Sequence, residues 1–495
     1  MTVRELLTAS GLTPSPGRLD IPCSGVTHDS REVTPGKLFV ALRGLMSDGA
    51  AYAAQAIAAG ASAVVAETAA PSVVTVPWIL VEDARAALAA LADAFFGHPS
   101  REMQVVGVTG TNGKTTTGYL VRSIFEAAGM SCGLLGTVSY QIGGRAIEAT
   151  RTTPEAPAVQ ELMREMVTAG CVACAMEVSS HALALHRVDR VRFAAGVFTN
   201  LTRDHLDFHG DMEKYFAAKR QLFEMLPDGA PSVVNVDDPR GQVLAETAAR
   251  PVTYAINRNA DVVPGPLNFS LDGLRFEART PRGTVRIESP LLGRPNAYNI
   301  LAAVAVTAAL DLPLDRIEEG VRNLAGVPGR FQVASTTADV VTVIVDYAHT
   351  DDALRNLLET ARPMARRRLI TVFGAGGDRD RTKRPLMGMV AARLSDVVVI
   401  TSDNPRSEDP ARIIEEVKRG SEAEVRASNA ELITIVDRQA AIFAAVQQAQ
   451  AGDVVLIAGK GHETYQEVGG QRFSFDDVAV AREALRARRV GPGVC

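Results

Sequence analysis

Short runs of aliphatic and β-branched residues recur along the chain, and stretches with apolar residues at helical spacing separate them. Residues 36–42, 63–66 and 78–81 read as core strands. An Ala-rich helix is predicted over 50–59, and an amphipathic helix over 85–96 ends at Gly97 and Pro99. The run 103–106 is a short buried strand. Later strands are predicted at 172–176, 195–198 and 232–236, with a helix over 212–223 and a β-rich section from about 252 to 292. Gly326-Val327-Pro328-Gly329-Arg330 reads as a hinge. Beyond it, strands at 340–345, 369–373, 397–400, 433–436 and 454–457 alternate with helices such as 385–394 and 438–449. Strands alternating with helices make an α/β protein with largely parallel sheets. Three domains are expected: a small α/β domain over 1–98, a central parallel-sheet domain over 99–332, and a doubly wound sheet over 333–495.

The strand at 103 runs into Gly107-Val108-Thr109-Gly110-Thr111-Asn112-Gly113-Lys114-Thr115-Thr116-Thr117, and a helical pattern follows. Glycines let a backbone curl around an anion, and the N–H groups and dipole of a helix start favour negative charge. Lys114 adds a cation for outer phosphates, and the Thr115 hydroxyl is placed for Mg²⁺. The central domain is therefore expected to be P-loop ATPase-like. Against the general pattern G-x-x-x-x-G-K-[ST], Gly107 lies one residue too far back, and Val108 holds the first glycine position.

Composition narrows the class. The chain has 495 residues, 46% hydrophobic and 22% charged, the balance of a soluble globular protein. A net charge of −5 gives no general attraction to nucleic acid or anionic membrane. The first residues lack a signal-peptide pattern, and no run is long enough to span a bilayer. Five scattered cysteines suit a reducing cytoplasm, and Cys171 and Cys174, inside an apolar run, read as buried strand residues.

Polar clusters follow the predicted strands, at the edge where open α/β sheets bind ligands. The strand at 172 delivers Glu177-Val178-Ser179-Ser180-His181. The strand at 195 delivers Thr199-Asn200-Leu201-Thr202-Arg203-Asp204-His205-Leu206-Asp207-Phe208-His209, whose two aspartates and two histidines suggest Mg²⁺ or phosphate chemistry. Thr152-Thr153-Pro154-Glu155 reads as a helix start with a threonine cap. Asn296 and Asn299 share a face at another helix start, where Asn296 is either a cap or a contact. Asp29-Ser30-Arg31, from composition alone, is a turn cap, and Lys219 an ordinary helix lysine. In the third domain the strands end in Asp346-Tyr347-Ala348-His349, Gly374 to Asp380, Ser402-Asp403-Asn404-Pro405-Arg406 and Gly459-Lys460-Gly461-His462-Glu463. Four such clusters at one sheet edge predict a binding site.

These motifs, in this order over nearly the whole chain, resemble the Mur ligase family, within its superfamily with folylpolyglutamate synthases. The resemblance implies an ATP-dependent ligase. ATP would phosphorylate the D-Glu carboxylate of a UDP-N-acetylmuramoyl dipeptide, and the amine of a diamino acid would displace phosphate, in peptidoglycan precursor synthesis. It implies that Gly110, Thr111, Asn112, Gly113, Lys114, Thr115 and Thr116, with Asn296, Asn299, Arg330 and Asp346, hold ATP. Glu177 and His205 would bind Mg²⁺ with Thr115, and Lys219 matches the family's lysine carbamylated by CO₂. Lys114, Glu177, His205 and Lys219 form the implied catalytic set. Ser30, Thr152, Thr153, Ser179 and Arg187 match positions that hold the UDP-linked substrate. Arg379, Asp403, Asn404, Pro405, Arg406, Gly459 and Glu463 match a diaminopimelate site. A guanidinium can hold the distal carboxylate of meso-diaminopimelate by a bidentate pair, and L-lysine lacks that group. A cytoplasmic monomer with small-molecule partners only is expected.

The chain departs from the family pattern at Leu45, Met46, Arg151, Leu185 and Asp351, which bears on contacts to the UDP substrate. Two other readings stand beside the ligase. One is a sister enzyme adding glutamate to folate, against which the separate N-terminal domain argues. The other is an ATP-driven conformational switch, which has no need of Arg379, Arg406 and Glu463 at a third domain's strand ends.

Overall fold

The computed structural model describes residues 1–14, 18–44, 48–71, 74–270, 273–428 and 430–490. Leu45 and Met46 lie outside them. The first sheet has four parallel strands, Gly25–Thr27, Lys37–Val40, Ala63–Ala66 and Trp78–Leu80, in that order. Helices Val3–Ser10 and Ala84–Phe95 bury Leu6, Leu88 and Leu91 against Leu38, Val40 and Val65 of this sheet. Thr2 and Glu5 close a capping box on the first helix, and the Asp83 carboxylate accepts from two N–H groups of the second.

Eight strands form the second sheet. Its parallel part runs Pro251–Tyr254, Ser232–Asn235, Phe193–Phe198, Gln104–Thr109, Ala173–Glu177 and Cys132–Leu135, and the hairpin of Ser139–Ile142 and Arg145–Glu148 extends one edge antiparallel. From Gln104–Thr109 the chain builds one side of the sheet and then crosses to Phe193–Phe198 on the other. Connections therefore diverge around the phosphate-loop strand, the topology that opens a ligand crevice at strand C-termini. Helix Lys114–Ala127 covers one face with helices Arg294–Ala309 and Leu314–Asn323. A separate antiparallel sheet is built on the paired strands Gly273–Thr280 and Gly283–Ser289.

The third large sheet has six strands: Gln332–Val333, Thr342–Asp346, Val454–Ala458, Leu369–Phe373, Val397–Ile400 and Glu431–Thr434. All but the first run parallel, so their C-terminal ends share one edge. The last strand lies two residues earlier than the hydropathy predicts. The pairing of Val397 with Glu431 sets its register, and only half of its side chains are shielded. The hinge segment forms a turn, closed by Arg330 N–H to the Val327 carbonyl at 3.1 Å. No helix among the described residues is long and apolar enough to cross a membrane.

Candidate active site

The phosphate loop sits between Gln104–Thr109 and Lys114–Ala127, with Gly113 in the N-cap position at φ 88°. A Cβ there would strike the Asn299 side-chain oxygen, so glycine serves both conformation and space. The Lys114 ammonium curls back onto the loop, donating to the carbonyls of Gly110 (2.9 Å) and Thr111 (2.8 Å). From the hinge segment, Arg330 donates to the Thr115 hydroxyl at 3.1 Å and stacks over the Tyr347 ring of the C-terminal domain. The Asp346 carboxylate accepts from the N–H groups of Phe331 and Ala348, at 2.6 and 2.8 Å. Loop residues 111 to 116 share a cavity of about 270 Å³ with Asn296, Asn299, Arg330 and Asp346. A neighbouring cavity of about 850 Å³ is lined by Asn112, Gly113, Leu292, Tyr298, Asn299 and Asp352, among others. Helix Arg294–Ala309 begins at Gly293, so Asn296 is not its cap. Its side-chain N–H₂ donates to the Leu292 carbonyl, and its oxygen accepts from Asn299, which presents both amides to the loop.

Glu177 ends its strand 1% exposed. One carboxylate oxygen accepts from the Thr137 N–H (2.8 Å), the other from the Thr137 hydroxyl (3.0 Å). Among the described residues it makes no ion pair within 4 Å, and its charge faces the Lys114 ammonium at longer range. Lys219, also 1% exposed, projects from helix Met212–Glu224 and donates to the Gly110 carbonyl at 2.8 Å. Burial, and then Lys114, hold its amine well below the ordinary lysine range. His205 sits in the left-handed region at φ 54°, its ring 4.7 Å from that of His181, and burial pushes its pKa down to about 3. Of the four side chains expected to serve Mg²⁺ or phosphate chemistry, Asp204, His205 and Asp207 line one cavity shared with the C-terminal domain. No three His, Cys, Asp or Glu side chains converge on a metal position among the described residues. His209 turns away to Ser180, 2.9 Å distant, because the short helix Leu206–His209 puts it on another face.

A third cavity, of about 680 Å³, lies between the two large sheets. Thr152, Thr153, Ser179, Arg187 and His205 line it from the central domain, and Arg379, Asp403, Asn404, Arg406, Gly459 and Glu463 from the C-terminal one. The helix after Thr153 starts at Ala156 with Glu155 as its N-cap residue, so neither threonine caps it. Pro154 forces an extended approach, and the Thr153 hydroxyl instead donates to the Glu177 carbonyl at 2.9 Å. It also accepts the Ser179 N–H at 3.1 Å, joining two motifs far apart in sequence. Arg187 donates to the Thr153 carbonyl and pairs with Glu155 at 2.7 Å. Ser30, on the turn Ser30–Glu32, instead donates to Gln55 at 3.3 Å and does not line this cavity.

At the far side, Arg406 occupies φ 52° and gives one guanidinium N–H to the Gly377 carbonyl at 2.7 Å. Its backbone bridges to the hairpin Tyr465–Val468 and Gln471–Ser474, with Glu467 3.5 Å from its side chain. Glu463 accepts from Asn404 (2.8 Å) and the fully buried Lys460 (3.2 Å), while burial and then Asp403 raise its carboxyl above the usual range. Asn404 takes Lys460 on its other end at 2.8 Å. Gly459, at φ 117°, lies against Asp403. Cys171 and Cys174 are buried free thiols, as their apolar setting predicts.

Thr137, Tyr347, His349, Lys383 and Lys460 also belong to the site, and sequence reasoning gave none of them a role. Thr137 has no motif around it. Lys460 was visible only as part of its Gly-Lys-Gly-His-Glu cluster.

Models of three domains match the chain: the Mur ligase family catalytic domain over residues 22–96, the Mur ligase middle domain over 108–307, and the Mur ligase glutamate ligase domain over 329–461. The UDP-N-acetylmuramoyl-L-alanyl-D-glutamate--2,6-diaminopimelate ligase of Solibacter usitatus is 46% identical over 98% of both chains. The protein of that name from Gloeobacter violaceus is 47% identical over 99% of both. A solved structure carrying the same name is 34% identical, covers 99% of this chain and 100% of its own, and superposes with a TM-score of 0.69. A folylpolyglutamate synthase of Mycobacterium tuberculosis complexed with ADP and AMPPCP shares the fold at a TM-score of 0.62 and 17% identity, over 81% of this chain and 94% of its own. With its phosphate loop, its two facing sheets and relatives of this identity along its whole length, the chain belongs to the Mur ligase family.

Proposed function

We propose that this chain is an ATP-dependent ligase that joins meso-diaminopimelate to UDP-N-acetylmuramoyl-L-alanyl-D-glutamate through an acyl phosphate, in peptidoglycan precursor synthesis. The names of its near-full-length relatives support the reading. The observation that carries it is the shared cavity, with Glu177, Ser179 and His205 close to one wall and Asn404, Arg406 and Glu463 at the other. A carboxylate is a poor electrophile until phosphate makes it a good leaving group, and two anions meet only where positive charge is concentrated. Lys114 and Arg330 supply that charge beside the nucleotide, with Gly110 to Thr116, Asn296, Asn299 and Asp346 as its cradle. Thr152, Thr153, Ser179 and Arg187 hold the UDP-linked dipeptide, and Ser30 touches its nucleotide end. Arg406 takes the distal carboxylate of the diamino acid, and Glu463, with Asn404 beside it, the distal ammonium. Arg379, Asp403, Pro405 and Gly459 complete that end.

The buried carboxylate of Glu177, held by two neutral donors and facing Lys114 beyond ion-pair distance, suits Mg²⁺, with the Thr115 hydroxyl and His205 as further donors. Lys219, shifted toward its neutral form by burial and by Lys114, would be a nucleophile for CO₂, and its carbamate would add a negative group where an ammonium would repel the ion. Mg²⁺ bound there would neutralise phosphate charge. We assign residues 1–98, 99–332 and 333–495 to UDP-substrate, ATP and amino-acid domains, and place the enzyme in the cytoplasm as a monomer. The test is turnover with ATP, the UDP-dipeptide and either amino acid. Product with meso-diaminopimelate and little with L-lysine is expected; faster turnover with L-lysine rejects the assignment.

A further inference from the structure

A diamino dicarboxylate brings two carboxylates into the site. Arg406 accounts for the distal one. The other sits on the carbon bearing the attacking amine, and it needs a cation nearer the acyl phosphate. Lys383 lines the shared cavity as the first residue of helix Lys383–Leu394. It is only partly exposed, yet among the described residues its ammonium makes no hydrogen bond and no ion pair within 4 Å. The charged groups that face it are Asp204 from the central domain, Asp380 and Asp403 from its own domain, Arg379, and the His349 imidazole. Lys383 thus stands between Asp403, next to the Arg406 motif, and Asp204, next to His205. The start of its helix carries no side-chain cap, because the Thr382 hydroxyl is taken by Asp380 and Arg203. The Arg384 N–H already bonds the Arg381 carbonyl at 3.2 Å and Pro385 has no N–H, so the unpaired Lys383 ammonium in the cavity wall, rather than the helix start, is the group placed to meet a carboxylate. On the nucleotide side Lys114 and Arg330 already provide cations, which assigns Lys383 to the amino acid rather than the phosphate.

We propose that Lys383 binds the reacting-end carboxylate of the incoming diamino acid and so orients the adjacent amine toward the acyl phosphate. The proposal rests on the ligase reading above. The experiment compares wild type with Lys383→Met and Lys383→Arg in steady-state turnover, varying meso-diaminopimelate, ATP and UDP-dipeptide in turn. Hydroxylamine trapping of the acyl phosphate without amino acid measures the half-reaction that comes first. Expected for Lys383→Met is a KM for diaminopimelate raised about 30-fold or more, with trapping and the KM for ATP within a few-fold of wild type. Lys383→Arg recovers part of the loss. An unchanged KM for diaminopimelate overturns the proposal, whether kcat stays the same or falls with trapping, the latter placing Lys383 on the phosphate. A wild-type enzyme that traps acyl phosphate but never uses diaminopimelate would instead refute the ligase assignment.

Discussion

Lys219 shows how far a residue's setting departs from its type. In the sequence it is one lysine of an amphipathic helix; in the fold it is enclosed, faces Lys114, and has a loop carbonyl for its partner. Two ammonium groups that close cannot both stay charged cheaply in a dry pocket, so the Lys219 amine is shifted toward its neutral form. Lys219→Ala is expected to lose activity by about a hundredfold or more, the scale of a lost electrostatic partner in a closed site. Short-chain carboxylates restore part of it and bicarbonate none, read by turnover. Full activity in Lys219→Ala would remove the carbamate from the mechanism. With ¹³C-bicarbonate, the wild type should give a carbamate carbon resonance that the variant lacks.

The C-terminal helix Asp477–Val490 is pinned to helix Arg438–Gln448 by an ion pair in which neither side chain is exposed, Arg438 to Asp477 at 2.7 Å. The same guanidinium donates to the Ala458 carbonyl at 2.9 Å, one residue before Gly459, so this pair also shapes the amino-acid end of the cavity. Removing one partner leaves an uncompensated buried charge. Asp477→Ala should destabilise the protein by about 3–5 kcal/mol, and an apolar replacement of both partners should recover most of it. Urea unfolding of the three proteins decides; a single variant as stable as wild type contradicts the argument. At the phosphate loop, Gly113→Ala would place a side chain at φ 88° and into Asn299. ATP binding, followed by calorimetry, should fall below detection while far-UV dichroism is unchanged; near-normal affinity would show that the loop relaxes. The strand–loop–helix unit is legible in the sequence, because periodicity, glycines and a terminal Gly-Lys-Thr agree locally. The buried ion pair is not, since Arg438 and Asp477 lie 39 residues apart without a shared motif.

Over the whole molecule, the chemistry lies where separate bodies touch. Asn112 of the phosphate loop donates to Asp352 of the C-terminal domain at 3.2 Å, and Arg203 reaches Asp380 and Thr382. Such half-exposed contacts contribute little stability, about 0–1 kcal/mol each, which suits domains that must open for substrates and close for chemistry. His349 and His462, on the C-terminal side of this junction, are held neutral mainly by burial, at about 4 and about 3. Both lie below the unfolded value of about 6.5. As pH falls from about 6.5 toward 4 the unfolded chain takes up protons that the folded chain refuses, so stability drops by up to about 1.4 kcal/mol per pH unit for each imidazole. His462→Gln should flatten that slope in urea midpoints between pH 7 and 4.5; an unchanged slope assigns the acid sensitivity elsewhere.

The order of strands and helices, the phosphate loop and the polar clusters at strand ends follow from the sequence alone, because each is dictated by neighbours within a dozen residues. Tertiary structure decided what those clusters do for one another. It gave the Thr153 hydroxyl to Glu177 instead of a helix cap, split the Asp204 to His209 cluster between two faces, and left Ser30 outside the shared cavity. It also set Thr137 on Glu177 and Lys383 unpaired between two domains. Those outcomes depend on distances closed by sheet topology and domain packing, which local periodicity does not encode.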